Sequence, residues 1–437
     1  MATGEKSKTY FLATLGCPKN EVDSEALEVA LLSAGLLRAD DSRSADLILV
    51  NSCGFINDAK VETIQTVLDL HQDRKEGSVL VMCGCLPARY NLTRSLDEVD
   101  IFLPWNKHHE LISKLRDLGW PVNRPATGGQ SVPSIKRIKP ASAFSYLRIS
   151  EGCDNRCAYC AIPDIKGPFK SNSFQEIVDE AEYLCQNGVR ELILIGQDTT
   201  LYGKNGPEET SLTALLKALS VDTSCDWIRL MYAHPAHLTD ETISVMATTD
   251  KIVKYIDLPL QHINDRLLKR MNRKVTRKQV ESLIAKLRER IPNLVLRTTF
   301  IVGFPGETDQ DFAELLDFCE TAKFDNVGIF KYSPEEGTPA YSFKGRVIEE
   351  TIDERYLTLL DIQNMISYEI LNRRLGNTEK VLLHEIDSKG VGYGRTWFQA
   401  PEVDGQVIVE GCKSQPGEFV DVLVERSDAY DLFAKER

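Results

Sequence analysis

Three cysteines within eight residues constrain this chain more than any other feature of its sequence. They are Cys153, Cys157 and Cys160, in the spacing C-x3-C-x2-C, and they follow a predicted strand. Thiolates are natural ligands of iron–sulfur clusters, and these short spacings let one loop supply three corners of a cubane. No fourth cysteine lies nearby, so one iron would stay open to a substrate or cofactor. The alternatives are a zinc site, for which the next residues offer no fourth ligand, or three unrelated core cysteines.

Composition restricts the class of protein. The chain has 437 residues, 42% of them hydrophobic and 27% charged, which is typical of a globular protein of about three domains. It contains no run of 18 apolar residues, and its polar N-terminus does not resemble a signal peptide, so we expect no membrane association and a cytoplasmic location. Because the cytoplasm is reducing, the eleven cysteines indicate metal ligation or reactive thiols rather than disulfides.

The formal net charge of -13 bears on partners. An acidic surface repels a phosphate backbone and favours a basic partner, although a local basic groove could override the global balance. The charge therefore argues against RNA as the dominant partner.

The first region, residues 8–122, alternates strand and helix patterns. Three apolar runs predict strands and two longer patterns predict helices, an order typical of a mostly parallel sheet. The strands are Thr9–Leu15, Ala45–Val50 and Ser78–Met82, and the helices are Glu21–Ala34 and Asn57–His71. Residues 123–141 are rich in proline, glycine, serine and lysine and are predicted to be a linker.

The second region, residues 142–375, contains six strand-like runs with helical patterns between most of them. Such repetition predicts an α/β fold, a partial (β/α)6 barrel, whose chemistry lies on the loops after the strands. The runs are Tyr146–Ile149, Glu191–Ile195, Trp227–Met231, Tyr255–Leu258, Leu294–Ile301 and Val327–Phe330. Residues 376–437 have short strand runs at Lys380–Ile386, Gln406–Val409 and Phe419–Val424, which predict a small all-β barrel.

A second, dispersed set of cysteines occurs in the first region. Cys17, Cys53 and Cys85 each follow one of the three predicted strands. Because loops after parallel strands share one edge of a sheet, we expect these thiols to be neighbours in space and to suit a second 4Fe-4S cluster with an open iron. Small buried cysteines that merely pack as apolar residues are the alternative.

The Cys153–Cys160 motif resembles that of the radical S-adenosylmethionine superfamily, and the similarity extends over the second region. In that family the open iron chelates S-adenosylmethionine, and an electron from the cluster cleaves the cofactor to a 5′-deoxyadenosyl radical. The resemblance implies that Tyr159 lies near the adenine. It also implies that the loop Gly196, Gln197 and Asp198 and the turn at Gly303 contact the cofactor, although glycines after strands are also common in simple tight turns.

The segments around the dispersed cysteines resemble the N-terminal domain of methylthiotransferases. They are Leu15–Asn20, Asn51–Ile56 and Gly84–Leu86. In these enzymes a second cluster carries or delivers sulfur, which implies Cys17, Cys53 and Cys85 as its ligands and two 4Fe-4S clusters in all. Cys83 is a rival ligand, but the Gly-Cys-Leu context of Cys85 matches the family better. A flavodoxin or ferredoxin is the kind of electron donor that such an enzyme needs.

Related methylthiotransferases modify either a transfer RNA adenosine or an aspartate of ribosomal protein S-twelve. Residues 376–437, which resemble the RNA-binding TRAM domain, contain seven Lys or Arg and twelve Asp or Glu, a net charge of about -5 that favours a basic protein. Four further segments resemble the branch that modifies the ribosomal protein: Ile162–Gly167, Gln197–Gly203, Met231–Pro235 and Tyr332–Tyr341. One departure is Asn172, where that branch is expected to have arginine.

We therefore predict an aspartate methylthiotransferase acting on ribosomal protein S-twelve. A transfer RNA adenosine methylthiotransferase is the alternative within the class, and a noncatalytic iron–sulfur or RNA-binding protein is the alternative outside it.

Cys185, Cys225, Cys319 and Cys412 are isolated and interpreted as core or surface thiols. His234, His237 and His262 could suggest a metal site, but no second motif supports one; His234 and His262 follow predicted strands, so they either line the pocket or are structural.

Overall fold

The computed structural model describes residues 7–122 and 137–437; most of the predicted linker, residues 123–136, lies outside this range. The chain divides into two compact units. The first comprises residues up to 139 together with 151–155 and 160–169, and the second comprises 140–150, 156–159 and 170–437. The predicted domain boundaries at 122, 142 and 376 remain predictions. In the described residues, no helix is both long and apolar enough to cross a membrane.

The first unit is built on a five-stranded parallel sheet in the order β2-β1-β3-β4-β5. Its strands are β1 (Thr9–Thr14), β2 (Leu37–Arg38), β3 (Leu47–Ser52), β4 (Val79–Gly84) and β5 (Ile101–Pro104). Its helices are α1 (Pro18–Ser33), α2 (Asn57–Asp73), α3 (Leu86–Arg89), α4 (Leu111–Asp117) and α5 (Ile162–Lys166). Every residue of β3 is buried, which is the pattern of a parallel strand covered on both faces. The predicted parallel sheet is confirmed.

The second unit contains an open, six-stranded parallel sheet in the order β13-β12-β11-β10-β9-β6. These strands are β6 (Phe144–Arg148), β9 (Glu191–Ile195), β10 (Trp227–Leu230), β11 (Ile252–Asp257), β12 (Val295–Val302) and β13 (Asn326–Lys331). Two two-residue strands, β7 (Ser150–Glu151) and β8 (Lys170–Ser171), precede β9 in the chain. All six predicted runs are strands, and the partial (β/α)6 barrel is confirmed.

Helices alternate with these strands. They are α6 (Phe174–Gln186), α7 (Leu212–Asp222), α8 (Asp240–Thr248), α9 (Asp265–Arg270), α10 (Arg277–Arg290), α11 (Asp309–Ala322) and α12 (Glu349–Asn372). Most begin at a capping side chain that accepts a backbone N–H of the first turn, and Thr276 and Thr308 complete capping boxes at α10 and α11. Their apolar faces cover the sheet in one core that includes Leu194, Ile256 and Phe300. The carboxyl ends of the strands are therefore held on a rigid scaffold.

The C-terminal residues form a closed five-stranded barrel in the order β14-β15-β16-β18-β17. Its strands are β14 (Thr378–Ile386), β15 (Gly392–Arg395), β16 (Val407–Glu410), β17 (Phe419–Ser427) and β18 (Leu432–Glu436). The predicted all-β module is confirmed, with β15 and β18 added. This barrel is joined to the six-stranded sheet through Glu191, whose carboxylate accepts hydrogen bonds from Arg229 and Arg395 at 2.7 Å each. Glu191 is the first residue of β9, so the junction lies at the amino end of that strand.

Candidate functional site

The dispersed cysteines lie at the carboxyl edge of the first sheet. Cys17 is the residue before α1, Cys53 directly follows β3, and Cys85 directly follows β4. The loop after β1 reaches the loop after β3, because a side chain on Gly16 would place its Cβ 3.0 Å from the sulfur of Cys53. Gly16 also has φ +93°, a left-handed conformation that favours glycine. The structure thus places all three cysteines on the edge where sequence reasoning expected them.

Asn20 joins the three loops. Its side-chain amide donates to the backbone oxygens of Leu15, at 2.8 Å, and Ser52, at 3.1 Å, and its side-chain oxygen accepts from Cys85 Sγ at 3.8 Å. Asn20 is 1% exposed, so these bonds do not compete with water. Asn51 extends the network by donating to the backbone oxygen of Asn20 at 2.8 Å. The loops that carry the cysteines are fixed to one another by buried amides.

Cys83 and Cys85 have different surroundings. Cys83 is an interior residue of β4, is fully buried, and its thiol donates to the backbone oxygen of Val50 at 3.5 Å. It packs in the apolar core of the first sheet. Cys85 lies beyond the strand and interacts electrostatically with both Cys17 and Cys53. This placement supports Cys85 over Cys83 as the third ligand.

The donor set fits a multinuclear cluster better than a single ion. A tetrahedral zinc ion holds sulfur at about 2.3 Å, so its ligand atoms lie within about 4 Å of one another. Among the described residues, the sulfurs of Cys17, Cys53 and Cys85 do not all lie within 4.8 Å of one another, although the ligand atoms of another group do. Three soft sulfurs spread over a wider edge suit an iron–sulfur cubane.

Protonation couples to metal binding at this edge. Burial raises the pKa of the Cys53 thiol, and burial with the nearby Cys17, Cys53 and Asp23 raises the pKa of the Cys85 thiol to about 12. These free thiols are therefore protonated at neutral pH. Because a metal binds the thiolate, ligation must release their protons.

The C-x3-C-x2-C motif is divided between the two compact units. Cys153 and Cys160 belong to the first unit, and Cys157 belongs to the second. The backbone N–H of Cys153 donates to the oxygen of Gly167 at 3.1 Å, and Asp154 accepts from the N–H of Phe169 at 3.0 Å. These bonds join residues 153–155 to residues 167–169 within the first unit.

In the second unit, Cys157 is buried beside Arg273. The guanidinium of Arg273 donates to Cys157 Sγ at 3.7 Å and to the backbone oxygen of Pro259 at 2.6 Å. A guanidinium donor beside the sulfur fixes its position and supplies a hydrogen bond to it. Ala158 donates to the oxygen of Met271 at 2.9 Å and fixes the backbone after Cys157. The surroundings of Cys157 fit a cluster ligand.

The residues predicted to contact the cofactor lie at carboxyl ends of strands. Gly196, Gln197 and Asp198 follow β9, Gly303 follows β12, and Tyr159 packs against an apolar cluster that includes Phe304. Gly303 has φ +79°, and a Cβ there would collide with Ile352 of α12, so close packing already requires glycine. A Cβ on Gly196 would lie 2.5 Å from Ser150 Oγ. Their predicted contacts with the cofactor remain predictions.

Asp198 forms a network with two histidines that sequence reasoning did not link to it. The His237 imidazole donates from Nδ1 to Asp198 Oδ2 at 2.8 Å, and the rings of His234 and His237 stack with centroids 4.6 Å apart. Thr200 Oγ1 donates to the other Asp198 oxygen at 2.6 Å. Although burial opposes ionisation, these hydrogen bonds hold the pKa of the Asp198 carboxyl below its usual value. Asp198 is therefore a carboxylate at neutral pH.

This set, Asp198, His234 and His237, has three ligand atoms within 4.8 Å and could in principle hold a metal ion. Burial, assisted by the charge of Arg273, lowers the pKa of His234 to about 3, so the ring is neutral. The N–H of Ala236 donates to its Nδ1 at 3.2 Å, which leaves the proton on Nε2. That tautomer favours a hydrogen-bonded network over metal ligation.

Two further residues singled out in the sequence have defined local contacts. His262 is fully buried, and its Nδ1 accepts the N–H of Asn264 at 3.0 Å; its role in lining the pocket remains a prediction. Asn172, which departs from the expected arginine, donates through its side chain to the oxygen of Arg148 at 2.7 Å and anchors the chain beside β6.

Sequence reasoning missed Asn20, Arg273 and Lys166. Asn20 and Lys166 lie inside the segments that resemble the family. The position of Asn20, in the first turn of a helix beside a cysteine, was a signal that could have identified it. Arg273 lies between two helices with no pattern to distinguish it from other surface arginines. Only the folded chain brings it to Cys157.

Models of three known families match separate parts of the chain. Residues 9–104 match a family described as uncharacterized protein family UPF0004, residues 147–319 match the radical SAM superfamily, and residues 375–436 match the TRAM domain.

Solved structures share the fold at low sequence identity. The radical S-adenosylmethionine methyltransferase TsrM of Kitasatospora setae, with tryptophan and a SAM analogue bound, has a TM-score of 0.56, 14% identity, and alignment over 87% of this chain and 79% of that one. The cobalamin-dependent S-adenosylmethionine radical enzyme OxsB gives a TM-score of 0.52 at 13% identity, over 83% of this chain and 56% of that one. These similarities support the architecture alone.

Curated relatives match nearly from end to end. The ribosomal protein uS12 methylthiotransferase RimO of Geobacter sulfurreducens is 41% identical over 436 residues, which is 97% of each chain. The protein of the same name from Bdellovibrio bacteriovorus is 40% identical over 450 residues, covering 99% of this chain and 98% of that one. With two cysteine sets placed on two parallel α/β scaffolds and a closed C-terminal barrel, the chain belongs to the family of ribosomal protein uS12 methylthiotransferases, RimO.

Proposed function

We propose that this chain is a radical S-adenosylmethionine enzyme that adds a methylthio group to the β-carbon of an aspartate in ribosomal protein S-twelve (uS12). The observation that carries the proposal is the presence of two separate cysteine sets: the C-x3-C-x2-C motif and the edge set of Cys17, Cys53 and Cys85. One set is sufficient for radical generation, whereas sulfur transfer needs a second sulfur-bearing centre.

Two 4Fe-4S clusters are proposed, with Cys153, Cys157 and Cys160 as ligands of the first and the edge set as ligands of the second. S-adenosylmethionine would bind the first through the loops that contain Tyr159, Gly196–Asp198 and Gly303. Bound together, these groups supply hydrogen-atom abstraction, methyl transfer and sulfur, chemistry that no side chain provides for an unactivated C–H bond.

The protein's own residues orient these groups and set their charge. Asn20 fixes the edge loops, so the thiols are positioned before a metal binds. Arg273 donates a hydrogen bond to the sulfur of Cys157 and holds it in place. Asp198 and His237 keep a defined hydrogen-bonding orientation at the carboxyl end of the barrel, where substrates of such folds bind.

Charge supports a protein substrate. The chain has a net charge of -13, and residues 376–437 contribute about -5 of it. An acidic C-terminal barrel attracts a basic ribosomal protein and repels a phosphate backbone. We further propose a cytoplasmic location and a flavodoxin or ferredoxin as electron donor, because the radical reaction needs low-potential electrons. A transfer RNA adenosine enzyme is the alternative within the class.

Reconstitution tests the proposed reaction. The anaerobic holoenzyme with S-adenosylmethionine, sulfide, reductant and the ribosomal protein should add the mass of one methylthio group to one aspartate, and transfer RNA should remain unmodified. An adduct on transfer RNA and none on the protein would overturn the substrate assignment. Failure to form 5′-deoxyadenosine would instead indicate a noncatalytic iron–sulfur protein.

Two matched variants test the division of labour between the cysteine sets. Cys157→Ala should abolish cleavage of S-adenosylmethionine, because it removes a ligand of the proposed radical-generating cluster. Cys53→Ala should retain cleavage and lose methylthio transfer. Equal loss of cleavage in both variants would contradict two separate functions.

A further inference from the structure

The first unit buries a lysine beside the edge cysteines. Lys166 is the last residue of α5 and is 5% exposed. Its ammonium lies 3.2 Å from a carboxylate oxygen of Asp23 and 3.4 Å from one of Glu151. Lysine is seldom buried unless its charge is paired. These two carboxylates pair with the ammonium inside the unit.

Aromatic packing fixes the position of this charge. The Lys166 ammonium lies 4.3 Å from the centre of the Trp105 ring, a cation–π contact. The Trp105 indole N–H donates to the backbone oxygen of Ile165 at 2.6 Å. Trp105 and Ile165 pack in one apolar cluster with Cys85. The lysine is therefore held against the same small core as Cys85.

The Lys166 ammonium and the Cys85 thiol share one packing environment. The ammonium lies over the Trp105 ring, and Trp105 and Ile165 pack with Cys85. Thiolates and an iron–sulfur group place several negative charges in a poorly solvated edge, and such charge is costly without a nearby cation. Lys166 is a buried cation that the fold places there.

We propose that Lys166 is a positioning residue of the edge site, whose buried ammonium offsets the negative charge of the iron–sulfur group that Cys17, Cys53 and Cys85 would hold. This inference rests on the proposed second cluster. The Asp23 carboxylate holds Lys166 in place, and its negative charge opposes the effect of the Lys166 ammonium on the edge site. Each of these two charges changes how readily the cluster accepts an electron, because a nearby cation favours the reduced, more negative state and a nearby anion disfavours it.

The test uses the full chain with Cys153, Cys157 and Cys160 replaced by alanine, so that any iron reports on the edge site alone. Lys166→Met in this background should shift the cluster's midpoint potential, measured by EPR-monitored redox titration, to a more negative value. It should also speed iron loss to a chelator, because the anionic cluster loses a neighbouring cation. Lys166→Arg should retain both properties, and Lys114→Met, at an exposed ion pair of the same unit, serves as the control.

A variant of opposite sign keeps the inference testable if Lys166→Met does not fold. Asp23→Asn leaves the ammonium and removes an anion, so it should shift the potential to a more positive value. If Lys166 only ties α5 to α1, the two variants would not shift the potential in opposite directions, and unchanged potentials in folded variants would overturn the inference. Absence of iron from the chain with Lys166 intact would overturn the second cluster itself, a result distinct from any effect of Lys166.

Discussion

At the scale of single residues, one buried amide links the loops that carry the edge cysteines. Asn20 contacts the loop after β1 through Leu15, the end of β3 through Ser52, and the thiol of Cys85. Losing the Asn20 amide would cost about 1 kcal/mol at the Leu15 oxygen, whereas the Ser52 oxygen would still accept the N–H of Cys85 at 3.0 Å. Asn20 thereby couples the geometry of the cysteines to the stability of the first sheet.

Cys83, which lies in β4, and Cys85, which directly follows β4, provide the clearest prediction for single residues. Cys85→Ala should lose about half of the roughly eight irons expected for two cubanes. Cys83→Ala should keep all of them and lose only some stability, because Cys83 packs in the core and bonds to Val50. Iron and sulfide content of the anaerobically purified variants measures this. Iron loss in Cys83→Ala with none in Cys85→Ala would reverse the ligand assignment.

Single residues also show what the sequence could and could not predict. The convergence of Cys17, Cys53 and Cys85 on one edge followed from parallel topology alone, since loops after parallel strands share an edge. The contact of Arg273 with Cys157 joins residues 116 positions apart. No local pattern encodes such a distance, so this contact depends on tertiary packing.

At the scale of secondary-structure elements, prediction succeeded where strands are buried and apolar. All six strands of the barrel sheet and three strands of the first sheet were predicted, because a continuous apolar run is a strong signal. Strand β5, Ile101–Pro104, was missed although it is apolar, whereas two other missed strands lack that signal. Both residues of β2 are exposed, and β15 has the sequence Gly-Tyr-Gly-Arg. Pairing with neighbours, rather than propensity, makes these segments strands.

Strand β14 contains a titratable group that should make stability depend on pH. His384 packs edge-on against Phe144 at 5.4 Å, and neither ring nitrogen has a hydrogen-bond partner among the described residues. Burial, assisted by Arg395, lowers its pKa to about 3, while Glu191 has the opposite effect. The folded chain thus binds fewer protons than the unfolded chain between pH 3 and about 6.5, so stability is present above pH 6.5 and is lost as pH falls.

Chemical denaturation at pH 7 and pH 5 tests this. The free energy of unfolding of the wild type should contain a His384 contribution of about 2 kcal/mol that is lost between these two values. His384→Phe keeps the aromatic contact and removes the titration, so its pH dependence should be weaker by that amount. His109→Gln, at an exposed position, should behave as the wild type. An identical pH dependence in His384→Phe would show that the ring is already solvated in the folded state.

At the scale of the whole molecule, the barrel sheet and the C-terminal barrel share one buried charge network. Glu191 is fully buried between Arg229 and Arg395, and Arg229 also donates to the backbone oxygen of Trp397 at 2.9 Å. Burial opposes ionisation of Glu191, but the two guanidinium groups hold its pKa below the usual value. The Glu191 carboxylate thus neutralises the charge of Arg229 in the six-stranded sheet and of Arg395 in the C-terminal barrel.

Removing that carboxylate should destabilise the second unit. Glu191→Gln leaves two buried guanidinium groups without their anion, and breaking such a pair costs about 3–5 kcal/mol. Thermal and urea unfolding of the variant should show this loss. Glu182→Gln, on the exposed face of α6, should change stability by less than about 0.5 kcal/mol. Equal stability of the two variants would mean that the junction is hydrated.

The composition of the first compact unit has a consequence for how the protein is made. Its core beside Cys85 includes Ala161 and Ile165, and Trp105 donates to the oxygen of Ile165. A nascent chain that has emerged only as far as residue 139 lacks these partners, although all five strands of its sheet have already been synthesised. During translation the edge thiols therefore stay open to solvent, oxidants and iron donors until about 30 further residues have emerged. Synthesis itself provides an interval in which the edge site is accessible before α5 covers it.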